Sequence, residues 1–176
     1  MKTLLIIFLV AAGFSGYVSS QNEWEEVKIF TGQSPGCINY SNQFDFSIDN
    51  FLRVSVGNNT DIVLKIHNNS SGKCIRCVYI SAGGDFYISN IPEGYYTLKI
   101  AFGKKWSRRN SDLNNCESKF TENAMYEEGE NILDFTLKYT NDGYQIPSYE
   151  LYLDVYTTNQ NKGFDSRKIS EEEFFR

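Results

Sequence analysis

The chain has 176 residues, a formal charge of −5 and 41% hydrophobic content, which fits one globular domain better than two. The acidic balance argues against a nucleic-acid binder, which needs a basic face to displace counterions from phosphates. A single histidine, His67, removes most His-based catalytic and metal-binding designs. Aromatic usage of 15%, with 12 Tyr and 13 Phe against two Met, favours strands, on whose half-buried pleated surface flat rings pack well.

Lys2 supplies a positive start, Leu4 to Ala12 form an apolar run of nine, and Gly13 to Ser20 are small-residue rich. This pattern predicts a secretory signal peptide over residues 1–20. The run is too short for a membrane span, which needs about 20 residues, and no later segment approaches that length. Removing the leader leaves 156 residues and deepens the charge to −6, since Lys2 is its only charged side chain. The expected organisation is a signal peptide over 1–20, a β-sandwich domain over 21–157 and a polar tail over 158–176 with a short terminal helix. The expected location is outside the cytoplasm, extracellular or periplasmic.

Export makes disulfides the default state for Cys37, Cys74, Cys77 and Cys116, with three complete pairings open. A Cys37–Cys116 bridge would close a loop of about 80 residues and stabilise by roughly 4 kcal/mol in the chain-entropy account. Cys74 and Cys77 form a C-x-x-C motif. On a regular strand their offset puts the side chains on opposite faces about 10 Å apart, beyond disulfide reach. No helix N-terminus is evident to lower a thiol pKa there.

Short alternating segments then recur between turn clusters. Glu25 to Phe30 is a candidate strand. Leu52, Val54 and Val56 share one face, with Arg53 and Ser55 on the other. Ile62, Leu64 and Ile66 follow, with His67 expected exposed on the opposite face. Ile75, Cys77 and Tyr79 form the uncharged face of the next segment. Phe86 and Ile88 point one way, Pro92-Glu93-Gly94 turns the chain, and Tyr96, Leu98, Ile100 and Phe102 form an apolar face. Leu133, Phe135, Leu137 and Tyr139 alternate before the turn Asn141-Asp142-Gly143, and Tyr149, Leu151, Leu153 and Val155 make the last strand. The expected fold is all-β, an antiparallel sandwich of about seven strands. Residues 103–131 lack strand periodicity and are expected to form a long irregular insert. Thr121 to Glu128 and Ser170 to Arg176 are the only helix candidates, Ser170 serving as cap of the second.

The segment FYISNIPEGYYTLKI, residues 86–100, resembles the signature of carboxypeptidase regulatory-like domains, whose fold is the transthyretin-like (prealbumin-like) β-sandwich. DIVLKIHNNSSGK, residues 61–73, resembles that family's first strand and following turn. The likeness covers roughly residues 61–102; the turn Ser81 to Asp85 and the chain after Phe102 depart from the pattern. It implies a prealbumin-like sandwich acting as a non-catalytic accessory or binding module, and names no ligand. The enzymatic transthyretin-like branch uses several histidines and a C-terminal Tyr-Arg-Gly-Ser motif. This chain has one histidine and ends Glu-Phe-Phe-Arg.

Several constellations have a chemical and a plainer reading. Lys104, Lys105, Arg108 and Arg109 surround Trp106, which would stack on a sugar or enter a partner pocket if the segment is an exposed loop; the plainer reading folds Trp106 onto the sandwich. Glu150, Tyr152, Asp154 and Tyr156 face away from the leucines of the last strand and suit a carbohydrate or peptide, or merely solubilise the sheet. Asn141 to Gly143 and Asp112 to Asn115 offer oxygens to calcium without the acidic spacing of a dedicated site. Glu127, Glu128 and Glu130 lack a positioned catalytic partner. Asn39, Asn58, Asn68 and Asn69 each satisfy N-x-Ser/Thr.

The sequence thus predicts a secreted, non-catalytic binding or structural module without cofactor or metal and without a membrane span, whose partner is an unidentified protein or glycan rather than a nucleic acid. The alternatives are a thiol-disulfide redox protein using Cys74 and Cys77, and a carbohydrate-binding module using Trp106 or the Tyr152 and Tyr156 face.

Overall fold

The computed structural model describes residues 23–38, 40–112, 115–154 and 164–176. The leader over 1–20, Asn39 and Tyr156 lie outside them. The described residues build an all-β sandwich.

The smaller layer joins β2 (Phe51–Val56), β5 (Asp85–Ser89) and β11 (Tyr149–Leu153), with β2 central. The larger layer runs in the order β12 (Ser166–Lys168), β7 (Asn115–Gly129), β6 (Tyr95–Asp112), β3 (Asp61–Asn68) and β4 (Cys74–Ile80), with β1 (Glu25–Glu26) and β8 (Leu133–Asp134) also pairing to β6. A hairpin of β9 (Lys138–Thr140) and β10 (Gly143–Gln145) stands apart, closed by the turn read at Asn141 to Gly143. All these pairings are antiparallel except β11 with β2, which is parallel. Between the sheets, Leu52, Val54, Ile62, Leu64, Ile66, Ile88, Leu98, Ile100 and Phe135 form the main core. Their alternation is the period-2 signal of the sequence.

Residues 103–112 and 115–129 are not an irregular insert. They belong to β6 and β7, which pair as one long antiparallel ladder with register from Lys99 opposite Glu128 to Asp112 opposite Asn115. The alternation is hidden by a bulge, where the register steps from Phe102/Met125 to Lys104/Glu122 and Asn123 takes φ 51°. Here Gly103 is required, because a Cβ would sit 2.4 Å from that of Phe120. Thr121 to Glu128 is strand, not helix. The strand expected from Leu133 to Tyr139 is also interrupted. The Asp134 carboxylate accepts from the Thr136 main chain and hydroxyl, and the Leu137 N–H donates to Glu93 Oε2. Glu25 to Phe30 contributes only the two residues of β1.

The larger sheet is covered on both faces, so β3 and β4 are buried along nearly their whole length. Its second face carries Val63, Cys74, Cys77, Tyr79, Ala101, Trp106, Phe120 and Tyr126, under Ile29, Ile38, Tyr40 and the C-terminal helix α1 (Glu171–Phe175). Ser170 caps α1 as expected: its hydroxyl accepts from the Glu173 N–H while the Glu173 carboxylate accepts from the Ser170 N–H. Within the tail expected to be polar, Phe174 is fully buried against Tyr126. Cys37 and Cys116 form a disulfide, their Cα atoms 5.1 Å apart. Among the described residues no helix is long and apolar enough to cross a membrane.

Candidate functional site

Two assemblies gather chemically capable side chains: a buried polar layer beneath α1 and the outer face of the smaller sheet.

The buried layer follows from strand register. Cys77, Lys65 and Lys99 lie side by side on β4, β3 and β6, and Cys74, His67 and Thr97 form the next row. Cys74 and Cys77 do not fall on opposite faces. Register steps from Ile66/Arg76 to His67/Cys74, leaving an extra residue in β4. Ile75 therefore packs between the sheets while both cysteines pack on the second face, as free thiols. Lys65 is 1% exposed, and its ammonium donates to the Phe174 carbonyl at 2.7 Å and lies 5.2 Å from the Phe174 ring centre. Lys99 donates to the Glu173 carbonyl at 2.6 Å. These cations sit where the end of a helix leaves carbonyls unpaired and the dipole is negative. Burial pulls the Lys65 pKa below the usual lysine range and pushes both thiols up, with only partial opposition from Lys65.

His67 is buried, not exposed as expected, and its Nε2 has no hydrogen-bond partner. Burial, then the charges of Lys65 and Lys99, push its pKa down to about 4, while a hydrogen bond to the Gly72 main chain opposes the shift. The unfolded imidazole takes up a proton near pH 6.5 and the folded one resists until about 4. Stability carried by the neutral imidazole is therefore complete above pH 6.5, falls as the pH drops toward 4, and falls no further from this group below that. The expected loss across the window is about 3 kcal/mol. Urea unfolding at pH 7 and pH 4 of the wild type and His67→Gln measures it; the variant should lose most of that pH dependence, and an unchanged dependence rules the assignment out.

The basic segment around Trp106 is not an exposed recognition loop. Trp106 lies in β6, buried, with its indole N–H donating to the Pro35 carbonyl at 3.2 Å and its ring edge-on to Phe120. Lys105 pairs with Glu122, Arg109 pairs with Glu117 and lies over Trp24, and exposed Arg108 stands opposite Glu25. The acidic trio is tied to the returning chain: Ser166 donates to Glu127, Arg167 pairs with Glu128, and the Glu130 main-chain N–H donates to the Asp165 carbonyl. Asn141 to Gly143 forms a plain hairpin turn.

The outer face of the smaller sheet is the assembly that reaches solvent. Phe51, Arg53 and Ser55 point outward from β2, with Asp85 and Tyr87 on β5 and Glu150 and Tyr152 on β11. Arg53 is opposite Tyr87 on one side and Glu150 on the other; Ser55 is opposite Asp85 and Tyr152. The Arg53 guanidinium forks onto Asp85, with Nη2 to Oδ2 at 2.7 Å, and lies 3.6 Å from Glu150 Oε1. The Ser55 hydroxyl also donates to Asp85, and these bonds hold its carboxyl below the usual carboxylate range. Tyr87 is 50% exposed, in an edge-to-face pair with the Phe51 ring and with the Arg53 guanidinium over its ring 5.4 Å from the centre, and Tyr152 is 52% exposed. Asp154 is drawn off the row, packing over Gly57 and accepting from Asn59.

No family model, curated protein or solved structure compared with the chain matches it. The residues themselves therefore carry the functional reading. Sequence reasoning found Glu150 and Tyr152 but missed Phe51, Asp85 and Tyr87. The available signal was that Phe51, Arg53, Asp85 and Tyr87, which alternate with Leu52, Val54, Phe86 and Ile88, are aromatic or charged.

Proposed function

We propose that the protein is an exported, non-catalytic binding or structural module of the prealbumin-like kind, acting outside the cytoplasm. The observation that carries this reading is the outer face of the smaller sheet, an ordered array of half-exposed rings and paired charges on a rigid sheet. The leader-like residues 1–20 and the Cys37–Cys116 disulfide support export. Strands β5 and β6, joined by the Pro92-Glu93-Gly94 turn, support the prealbumin-like assignment. The Tyr96 hydroxyl closes this turn by donating to the Pro92 carbonyl at 2.8 Å. Non-catalytic action agrees with a lone histidine that is buried beneath packed chain.

The test is an amide chemical-shift map of the full chain titrated with neutral and acidic oligosaccharides and with short peptides. Saturable shifts concentrated on β2, β5 and β11 are expected; shifts confined to the layer beneath α1 would overturn the reading.

Carbohydrate is the ligand class favoured second to a general binding role, because rings and charges alternate on that face. The thiol-disulfide alternative draws less support, since a nucleophilic thiol needs access and a lowered pKa, whereas Cys74 and Cys77 are buried with raised values. Both thiols should remain unlabelled by a thiol reagent in the folded protein at pH 8 and react together on unfolding in urea. Rapid labelling of the folded chain would restore the redox alternative.

A further inference from the structure

We propose that the outer face of β2, β5 and β11 binds a neutral oligosaccharide laid diagonally across the strands, with Tyr87 and Tyr152 as stacking rings at its two ends. This rests on the binding-module reading above and names its ligand. Tyr87 lies on one edge strand and Tyr152 on the other, two strand spacings and one two-residue step apart, because Arg53 faces Tyr87 and Ser55 faces Tyr152 on β2. Strand geometry puts their Cα atoms about 12 Å apart. That separation suits separate rings of an extended sugar chain better than one monosaccharide.

Between the rings runs the charged row. Arg53 is forked by Asp85 and flanked by Glu150, so the row carries one cation against two carboxylates. A phosphate, sulfate or uronate would meet net negative charge, and nucleic acid is disfavoured for the same reason. Carboxylate oxygens have several lone-pair positions and the guanidinium five donors, so a fixed Arg–carboxylate pair both accepts from and donates to hydroxyl groups. A polyol meets both needs while its ring faces cover the tyrosines.

A protein partner is a poorer match. A flat protein surface would have to dry the Arg53, Asp85 and Glu150 group, at a desolvation cost that an ion pair recovers only with full compensation. A sugar leaves such a row hydrated, with waters bridging the remaining polar atoms. Addition of a peptide strand would engage the sheet's edges rather than the side chains of this face. The site is also held in place before binding, by the Arg53 fork, the Ser55 bond to Asp85 and the edge-on Phe51 and Tyr87 rings, which reduces the ordering entropy lost on association.

The experiment is calorimetric and amide-shift titration of the full chain with gluco-, manno- and xylo-hexasaccharides, and with polygalacturonate as the anionic counterpart. At least one neutral hexasaccharide should bind and move the amides of β2, β5 and β11. Tyr87→Ala and Tyr152→Ala should each weaken it by about tenfold or more. Tyr152→Phe keeps the ring and should retain binding, as should Tyr144→Ala, which alters an exposed tyrosine on β10. The conservative variant keeps the test decisive if an alanine variant folds poorly. Tighter binding of polygalacturonate, sugar binding indifferent to both tyrosines, or no sugar binding at all overturns the proposal. If a peptide then moves the same outer-face amides, the binding-module reading survives without the sugar; if ligands move only amides elsewhere, both fall.

Discussion

Phe174→Ala should lower global stability by about 4 kcal/mol, the usual cost of emptying a fully buried phenylalanine site. The ring has no exposed surface, packs 5.3 Å from the Tyr126 ring and 5.0 Å from that of Phe175, and roofs the Lys65 ammonium. Its neighbours cannot readily collapse into the space, since the larger sheet below is fixed by its ladders and the void would be floored by a charged amine. Unfolding in urea should show a midpoint lower by about 2 M for an ordinary slope. The same variant should expose Cys74 and Cys77 to thiol reagents before global unfolding, because α1 covers the layer in which they lie. Release of α1 returns water to Lys65 and Lys99, which lowers the cost of local opening and limits how much of the lost packing appears as global destabilisation. A loss below about 1 kcal/mol with protected thiols would show that α1 does not seal this layer.

The parts of the fold legible in the sequence are those set by local period. Leu52, Val54, Ile62, Leu64, Leu98 and Ile100 all enter the intersheet core that their alternation predicts, and Ser170 caps its helix through the residue three positions on. Three features were not legible, each for a physical reason. Bulges at Gly103 and Ile75 shift the period-2 phase, hiding one half of the long hairpin and putting Cys74 and Cys77 on one face. A sheet covered on both faces has no polar side, so His67, opposite the apolar face of its strand, reads as exposed although packed chain buries it. The outer face joins β2 to β11 in parallel across a separation of 97 residues, Leu52 lying opposite Tyr149, a pairing that no local pattern encodes. Its individual residues were visible as outward positions; their assembly was not.

Removing the Cys37–Cys116 bridge should cost about 4 kcal/mol by freeing the unfolded chain. The two residues are 79 positions apart, and the loop they close includes β2, β3, β4, β5 and all of β6. The folded state has other restraints at the same place. The Trp106 indole N–H donates to the Pro35 carbonyl and the Ser118 hydroxyl to the Gly36 carbonyl at 2.8 Å, so the segment entering Cys37 stays clamped to the hairpin without the sulfur link. The effect should therefore lie chiefly in the denatured ensemble. A Cys37→Ser/Cys116→Ser double variant should keep the native amide spectrum while its urea midpoint falls, and its slope should rise slightly because the unlinked unfolded chain exposes more surface. Working in the presence of a reductant keeps Cys74 and Cys77 from forming non-native bridges once unfolding exposes them. If the spectrum instead changes around Trp106 and Ser118, the bridge shapes the native hairpin itself. An unchanged midpoint would mean that loop closure contributes little and that the packing of the two cores holds this long-range contact without covalent help.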